Sequence, residues 1–222
     1  MKIFSYFGHK DFILPLGYKG EMIKEYFWHY ELMNTDITIE LGKQDSCRLH
    51  NCHDEAGWKI TLANTGERTL KGGRLKRIEQ YIKGDTFLLT YGDGVADINI
   101  NELIDFHHKH GKIATVTGVS PTARFGELSI KNDQVVAFQE KPEASKTGHI
   151  SGGFFVFNNK IFDYLSDSED CDLEFGALEK LAAAGELMAY KHSGFWACMD
   201  TARDVEYLNR LWAEGDAKWK IW

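Results

Sequence analysis

The run Phe87-Leu88-Leu89-Thr90-Tyr91, followed at once by Gly92-Asp93-Gly94, is the feature that most restricts the fold. Five nearly continuous apolar residues bounded by glycine suit a strand buried on both faces of a sheet. Further β-rich runs lie at Phe12–Leu16, Ile37–Leu41, Ile113–Val119 and Phe154–Phe157. Stretches of helical composition alternate with them, at Glu21–Tyr30, Asn101–His110, Leu173–Ala184 and Ala202–Ala213. That alternation predicts an α/β domain with a mostly parallel central sheet. Ligands of such sheets bind beyond the carboxyl ends of the strands, which gives weight to the residues after Tyr91.

The chain has 222 residues and no Pro/Ser-rich linker, so a single domain over residues 1–222 is expected. A net charge of -7 without a long basic run argues against a nucleic-acid partner. No segment has the length and apolarity of a membrane span, so a membrane partner is not expected either. Cys47, Cys52, Cys171 and Cys198 read as free thiols of a reducing cytoplasm, since the opening MKIFSYFGHK lacks a secretion signal. Met1–Gly8 reads as the tail of a helix that runs into the first strand, with no Gly-rich turn before it.

Five segments carry candidate chemistry. Gly92 and Gly94 flank Asp93 at a strand end, where glycine admits close approach of a phosphate and a carboxylate suits Mg²⁺. A tight turn with Asp93 as a helix N-cap fits the same residues. In Phe195–Asp204, Asp200 joins Asp93 on one metal, or else Asp200 or Thr201 simply caps the following helix. In Phe138–Pro142, Glu140 can accept sugar hydroxyls and Lys141 can meet a phosphate; a solvated turn before Pro142 is the plainer reading. Gly152 and Gly153 precede an aromatic strand and mark either a ligand approach or a bulge. Lys71–Arg77 reads as a phosphate nest with adjacent cations or as a loop entering a basic helix. The cysteines and histidines of Cys47–Asp54 match no common zinc spacing and read as a polar loop or hairpin, while His107, His108 and His110 read as a surface cluster at a helix end.

Taken together, GYKGEMIKEYF, TGERTLKGGRLKR, LTYGDGVADINI, RFGELSI, FQEKP, SGGFFVFN, GELMAYKHSGFWACMDTARD and LWAEGDAKWKIW resemble, in this order, the glucose-1-phosphate cytidylyltransferases of the sugar-1-phosphate nucleotidyltransferase family. The resemblance implies a Rossmann-like nucleotidyltransferase domain. It implies transfer of cytidylyl from CTP to α-D-glucose 1-phosphate, giving CDP-glucose and pyrophosphate. It further implies Mg²⁺ on Asp93 and Asp200, nucleotide contacts from Thr69, Arg74 and Gly92, sugar-phosphate contacts from Glu140, Lys141 and Gly153, and catalytic roles for Asp93, Asp200 and Arg74. A homo-oligomer is expected. The family's N-terminal GGxGTR-type loop has no counterpart here, so the first βα unit is expected to be missing and turnover weak or absent. The sugar-side turn reads Ser151-Gly152-Gly153 rather than Asn-Gly-Gly, and Gly176-Ala177 stand where Glu-Pro is more usual. Two rival readings are a metal-dependent glycosyltransferase that uses Asp93 with Asp97, and a non-catalytic homologue that binds sugar phosphate.

Overall fold

The computed structural model describes all residues except 44–45, 52, 121–126, 132–133 and 140–147. In chain order the elements are α1 (Lys2–Tyr6), β1 (Asp11–Leu16), α2 (Gly20–Trp28), α3 (Tyr30–Asn34), β2 (Ile37–Ile39), β3 (Cys47–Leu49), β4 (Lys59–Asn64) and α4 (Lys71–Arg77). Next come β5 (Thr86–Thr90), β6 (Gly94–Ala96), α5 (Ile100–His110), β7 (Ala114–Val119), β8 (Glu127–Lys131), β9 (Gln134–Gln139) and β10 (Ile150–Asn158). A π-helical turn at Leu173–Leu178 leads into α6 (Glu179–Ala183), and β11 (Leu187–His192), β12 (Trp196–Cys198) and α7 (Ala202–Ala213) follow. No helix among the described residues is long and apolar enough to cross a membrane. The residues gather into two compact units: 1, 8–83 and 162–179 form one, and 2–7, 84–161 and 180–222 form the other.

The second unit holds a four-stranded sheet in the order β11-β7-β10-β5. β7 and β11 pair in parallel, while β10 runs antiparallel to both β5 and β7. Three strands therefore share one direction and β10 alone is reversed. The expectation of a mostly parallel sheet holds for strand direction. For pairing it is corrected, because the one reversed strand lies between two others and makes both of its ladders antiparallel. The fold remains of the α/β type.

The core follows from this order. Phe154, Phe155, Val156 and Phe157 of β10 are at most 1% exposed, because that strand has neighbours on both edges. Phe155 and Phe157 stack at 5.5 Å, and Phe4 of α1 packs on Phe154 at 6.0 Å. Of the run Phe87–Tyr91, all but Tyr91 lie in β5, but at a sheet edge among the described residues; Phe87, Leu88 and Leu89 are only half-buried and Thr90 is exposed. Helix α5 is bounded by side-chain and backbone caps. Asn99 Oδ1 accepts from the amides of Asn101 and Glu102, and Gly111, at φ 65°, ends the helix.

The histidine cluster of α5 is only partly a surface feature: His108 is exposed, His110 is half-buried and His107 is buried. His107 is 3% exposed and its Nδ1 lies 2.9 Å from Thr115 Oγ1 on β7. His110 Nε2 meets the same hydroxyl at 2.7 Å. One hydroxyl can donate to one ring and accept from the other, so both rings are satisfied while His107 stays neutral. Burial, aided by the nearby His110 and His108, pushes His107 down to about 4.

In the first unit β1 and β4 form a parallel pair, Asp11 to Leu16 against Lys59 to Asn64. Pro15 fits within β1 because that strand has a single partner among the described residues. β2 and β3 form the expected hairpin, with Cys47 on an exposed strand. His53, which follows it, lies 3.0 Å from Glu31 Oε2 and 3.3 Å from Glu55 Oε2. Its hydrogen bond to Glu31 raises it above the ordinary histidine value. The Lys71–Arg77 segment is helix α4 throughout, which keeps the basic helix of the plainer reading without its loop and leaves no nest. Its two glycines are contact points. A Cβ on Gly73 would lie 2.3 Å from the Ser168 carbonyl oxygen, and one on Gly72 would lie 2.8 Å from that of Cys171.

Two outcomes follow. Gly73→Ala gains up to about 1 kcal/mol of helix propensity, yet forces a methyl into a backbone carbonyl. Overpacking of about 1–3 kcal/mol wins, so the urea midpoint falls. For His107, the unfolded chain takes up a proton near pH 6.5 that the native state accepts only near pH 4. Its contribution to stability is complete above that window and is lost as pH falls through it. Melting temperatures measured from pH 7 to pH 4 decline less for His107→Leu, referred to its own value at pH 7, than for the parent.

Candidate active site

Asp93 and Asp200 come together through a short ribbon in the second unit. β6 and β12 pair antiparallel, with Trp196 opposite Ala96, Ala197 opposite Val95 and Cys198 opposite Gly94. One step further, the Met199 amide donates to the Asp93 carbonyl oxygen at 3.0 Å. Asp93 immediately precedes β6 and Asp200 lies two residues beyond β12, so both leave the same end of the ribbon. Both are exposed. Three residue pairs cannot hold a ribbon in water by themselves. Trp196 Nε1 ties it to the Gly152 carbonyl of β10 at 2.8 Å, and the Asp97 amide donates to the Phe195 carbonyl at 3.2 Å.

Of the two residues offered as the helix cap, Asp200 and Thr201, the structure uses the second. Thr201 is the N-cap of α7: its hydroxyl accepts from the Asp204 amide at 3.3 Å, and Asp204 Oδ2 accepts from the Thr201 amide at 3.0 Å. With that reciprocal pair in place, Asp200 has no capping task. Its Oδ2 accepts from Cys198 Sγ at 3.1 Å. Asp93 caps no helix either, since β6 follows it directly.

Gly92 is open: a Cβ there would meet nothing within 4 Å. Gly153 stands at φ 76°, with a would-be Cβ 3.0 Å from the Tyr91 ring, and its carbonyl accepts the Tyr91 amide at 3.2 Å. The β7–β10 register shifts between Ser151 and Phe155, which is the bulge that paired glycines signal. Asp97 turns away from Asp93, with Oδ1 3.0 Å from His192 Nε2. Of the C-terminal tryptophans, Trp212 and Trp222 are exposed and Trp219 alone is buried. Trp219 is buried with Leu208 and Leu211 and stacks on Phe195 at 5.4 Å.

In the first unit Arg74, on α4, reaches the turn that carries Thr69. Arg74 Nη1 donates to Thr65 Oγ1 and to the Gly66 carbonyl, both at 2.9 Å, and Nη2 reaches the Glu67 carbonyl at 3.2 Å. Thr69 is 3% exposed, and its hydroxyl accepts from Arg77 Nη1 at 2.9 Å. Arg77 also donates to the Thr65 carbonyl at 2.8 Å and to the Asp167 carbonyl through Nε and Nη2, at 3.0 and 2.7 Å. Sequence reasoning missed Arg77 and Thr65. Arg77 was visible as the last residue of GGRLKR, but its acceptor at Asp167 lies 90 residues away. Glu140 and Lys141 lie outside the described residues. A separate cleft of about 600 Å³ in this unit is lined by Trp28, Tyr30, His53, Glu55 and Trp58, and contains none of the expected site residues. Burial and the neighbouring Glu55 raise Tyr30 to about 12.

Two exposed carboxylates at one ribbon end are hard oxygen donors of the kind Mg²⁺ takes. No group of three or more His, Cys, Asp or Glu able to hold a metal gathers among the described residues. The chain offers a partial set, which suits an ion that shares its remaining positions with phosphates and water.

Residues 22–212 match the sequence model of the nucleotidyl transferase family, and the chain belongs to that family. Within it, the chain falls among the glucose-1-phosphate cytidylyltransferases. It is 48% identical to the glucose-1-phosphate cytidylyltransferase of Salmonella typhimurium over 223 aligned residues, covering 100% of this chain and 85% of that protein. A mannose-1-phosphate guanyltransferase of Kluyveromyces lactis is 26% identical, over 95% of this chain and 55% of its own length. Among solved structures, HddC from Yersinia pseudotuberculosis superposes with a TM-score of 0.60 at 19% identity, covering 93% of this chain and 80% of that one. That likeness speaks for the fold alone.

Thr201→Ala removes the α7 cap and lowers stability by about 1 kcal/mol in urea titration. Asp200→Asn, at an exposed position without a capping role, stays within about 0.5 kcal/mol of the parent.

Proposed function

We propose that this chain transfers a cytidylyl group from CTP to α-D-glucose 1-phosphate. A phosphate oxygen of the sugar phosphate attacks the α-phosphorus in line, the bond from that phosphorus to the bridging oxygen of the β-phosphate breaks, and pyrophosphate leaves with the electron pair. The observation that carries the reading is the shared ribbon end of Asp93 and Asp200, joined through the Asp93–Met199 backbone bond. Identity of 48% to a protein named for this activity supports the choice of substrates.

Asp93 and Asp200 are the residues that would hold Mg²⁺. When bound, that ion would neutralise charge on the phosphates. The chain's own part is positioning: Gly92 keeps space open beside Asp93, and the bulge at Gly153 sets the sugar-side turn. Glu140 and Lys141 are proposed to meet the sugar and its phosphate. In the first unit, Arg74 and Thr69 are proposed to serve the nucleotide by shaping the turn from Thr65 to Leu70, which Arg77 fastens from the other side. No covalent nucleophile is needed. The glycosyltransferase reading is disfavoured by Asp97, which faces His192 instead of standing beside Asp93.

We also propose self-association. Met22, Tyr26, Trp28 and Met33 are exposed on α2 and α3, more apolar surface than two short helices normally leave in water. A reducing cytoplasm is proposed as well, which suits the thiols Cys47 and Cys171.

The test is pyrophosphate release with CTP, glucose 1-phosphate and Mg²⁺. Asp93→Asn and Asp200→Asn each lower the rate by about a hundred-fold or more while the melting temperature holds, and EDTA abolishes it. Retention of the rate in Asp200→Asn with loss in Asp97→Asn points to the glycosyltransferase arrangement. Binding of glucose 1-phosphate by calorimetry without pyrophosphate release points to a non-catalytic homologue.

A further inference from the structure

The ribbon that presents Asp93 and Asp200 is tied down at its opposite end by one imidazole. His192 is the last residue of β11, a strand of the main sheet. Its side chain is 9% exposed. Nε2 lies 3.2 Å from the carbonyl oxygen of Phe195, the residue just before β12, and 3.0 Å from Oδ1 of Asp97, the residue just after β6. A single ring therefore touches both chains of the ribbon where they leave its far end. Both neighbours of Nε2 are acceptors, so Nε2 carries the proton. The N–H is aimed at the carbonyl. Asp97 Oδ1 is buried beside it and has no well-aligned donor among the described residues. A buried carboxylate oxygen in that state is costly unless something holds it there.

Gly194 is part of the same arrangement. A Cβ at that position would lie 2.3 Å from Asp97 Oδ1 and 2.7 Å from His192 Cε1. Any larger residue would force the pair apart. A further tie from ribbon to sheet among the described residues is the Trp196–Gly152 bond, which holds β12. On the β6 side, His192 links Asp97 to β11.

We propose that His192 is a positioning residue. Through Asp97 and Phe195 it fixes the tilt of the β6–β12 ribbon, and thereby where the Asp93 and Asp200 carboxylates stand. The proposal rests on the reading of those carboxylates as the metal-holding pair. Asp97, beside the glycine–aspartate turn in sequence, acts in it through His192 and holds no metal.

Three proteins decide it: the parent, His192→Ala and His192→Gln, whose side-chain amide can place an N–H near the Nε2 position. Two readouts are used, Mg²⁺ affinity by calorimetry and exchange of the Met199 amide, which bonds to Asp93 at the ribbon's working end. His192→Ala is expected to weaken Mg²⁺ binding about tenfold, as outer-shell partners of metal ligands do. It should also speed Met199 exchange about tenfold while the amides of β7 and β10 stay protected. His192→Gln is expected to restore both. Unchanged Met199 exchange in His192→Ala overturns the proposal, as does a His192→Gln that behaves like His192→Ala. Loss of protection throughout the sheet overturns it too, in favour of general destabilisation. A parent that binds no Mg²⁺ overturns the metal reading of Asp93 and Asp200. The exchange measurement needs no metal and still decides whether His192 fixes the ribbon.

Discussion

Burial of β10 on both faces is the constraint on which the second unit depends. Its three phenylalanines are almost completely withdrawn from water, each contributing about 2–3 kcal/mol of transfer free energy. Such a strand must lie between two others, and here it runs against both of them. Its beginning, at the Gly152–Gly153 bulge, therefore stands next to the end of β5 at Tyr91 and receives the Trp196 indole. The core strand thus sets the position of the turn that follows Tyr91 and of the ribbon that carries Asp200.

The first unit solves a different problem. The turn from Thr65 to Leu70 has little apolar surface, so its backbone carbonyls need donors. Arg74 and Arg77 supply them from one face of α4, at i and i+3, reaching Thr65, Gly66, Glu67 and Asp167. Planar guanidinium groups with several N–H donors suit this better than lysine. Gly72 and Gly73 let α4 approach the 168–171 backbone closely enough for Arg77 to reach its acceptor.

Much of this was legible in the sequence, for reasons that differ from place to place. Helix α7 runs from Ala202 to Ala213 as expected, because a Thr-x-x-Asp start and a helical apolar spacing agree. The glycine pair before Phe154 signalled a bulge, and one is there. Strand β5 was legible as a strand but not as an edge, since a run of apolar residues does not reveal how many neighbours it has. The β6–β12 ribbon was invisible: three-residue strands such as Gly94–Ala96 show no periodicity. Its ends, Asp93 and Asp200, were legible as two carboxylates able to meet on one metal, but the ribbon that joins them was not. His107 was misjudged because three histidines in four residues look polar, while one of them faces a buried threonine. Likewise Leu173–Ala184 reads as one helix, yet it breaks into a π-turn and α6, with Phe175 outside helical geometry.

The division of labour between Asp200 and Thr201 has a consequence for substitution. Because the helix start is secured by Thr201 and Asp204, the carboxylate beside it is under no obligation to the fold. An exchange at 200 leaves the cap of α7 intact whatever it does to the chemistry, whereas an exchange at 201 or 204 removes one half of that cap. The chemistry presented at the ribbon's end is in this sense a replaceable part mounted on a fixed bracket.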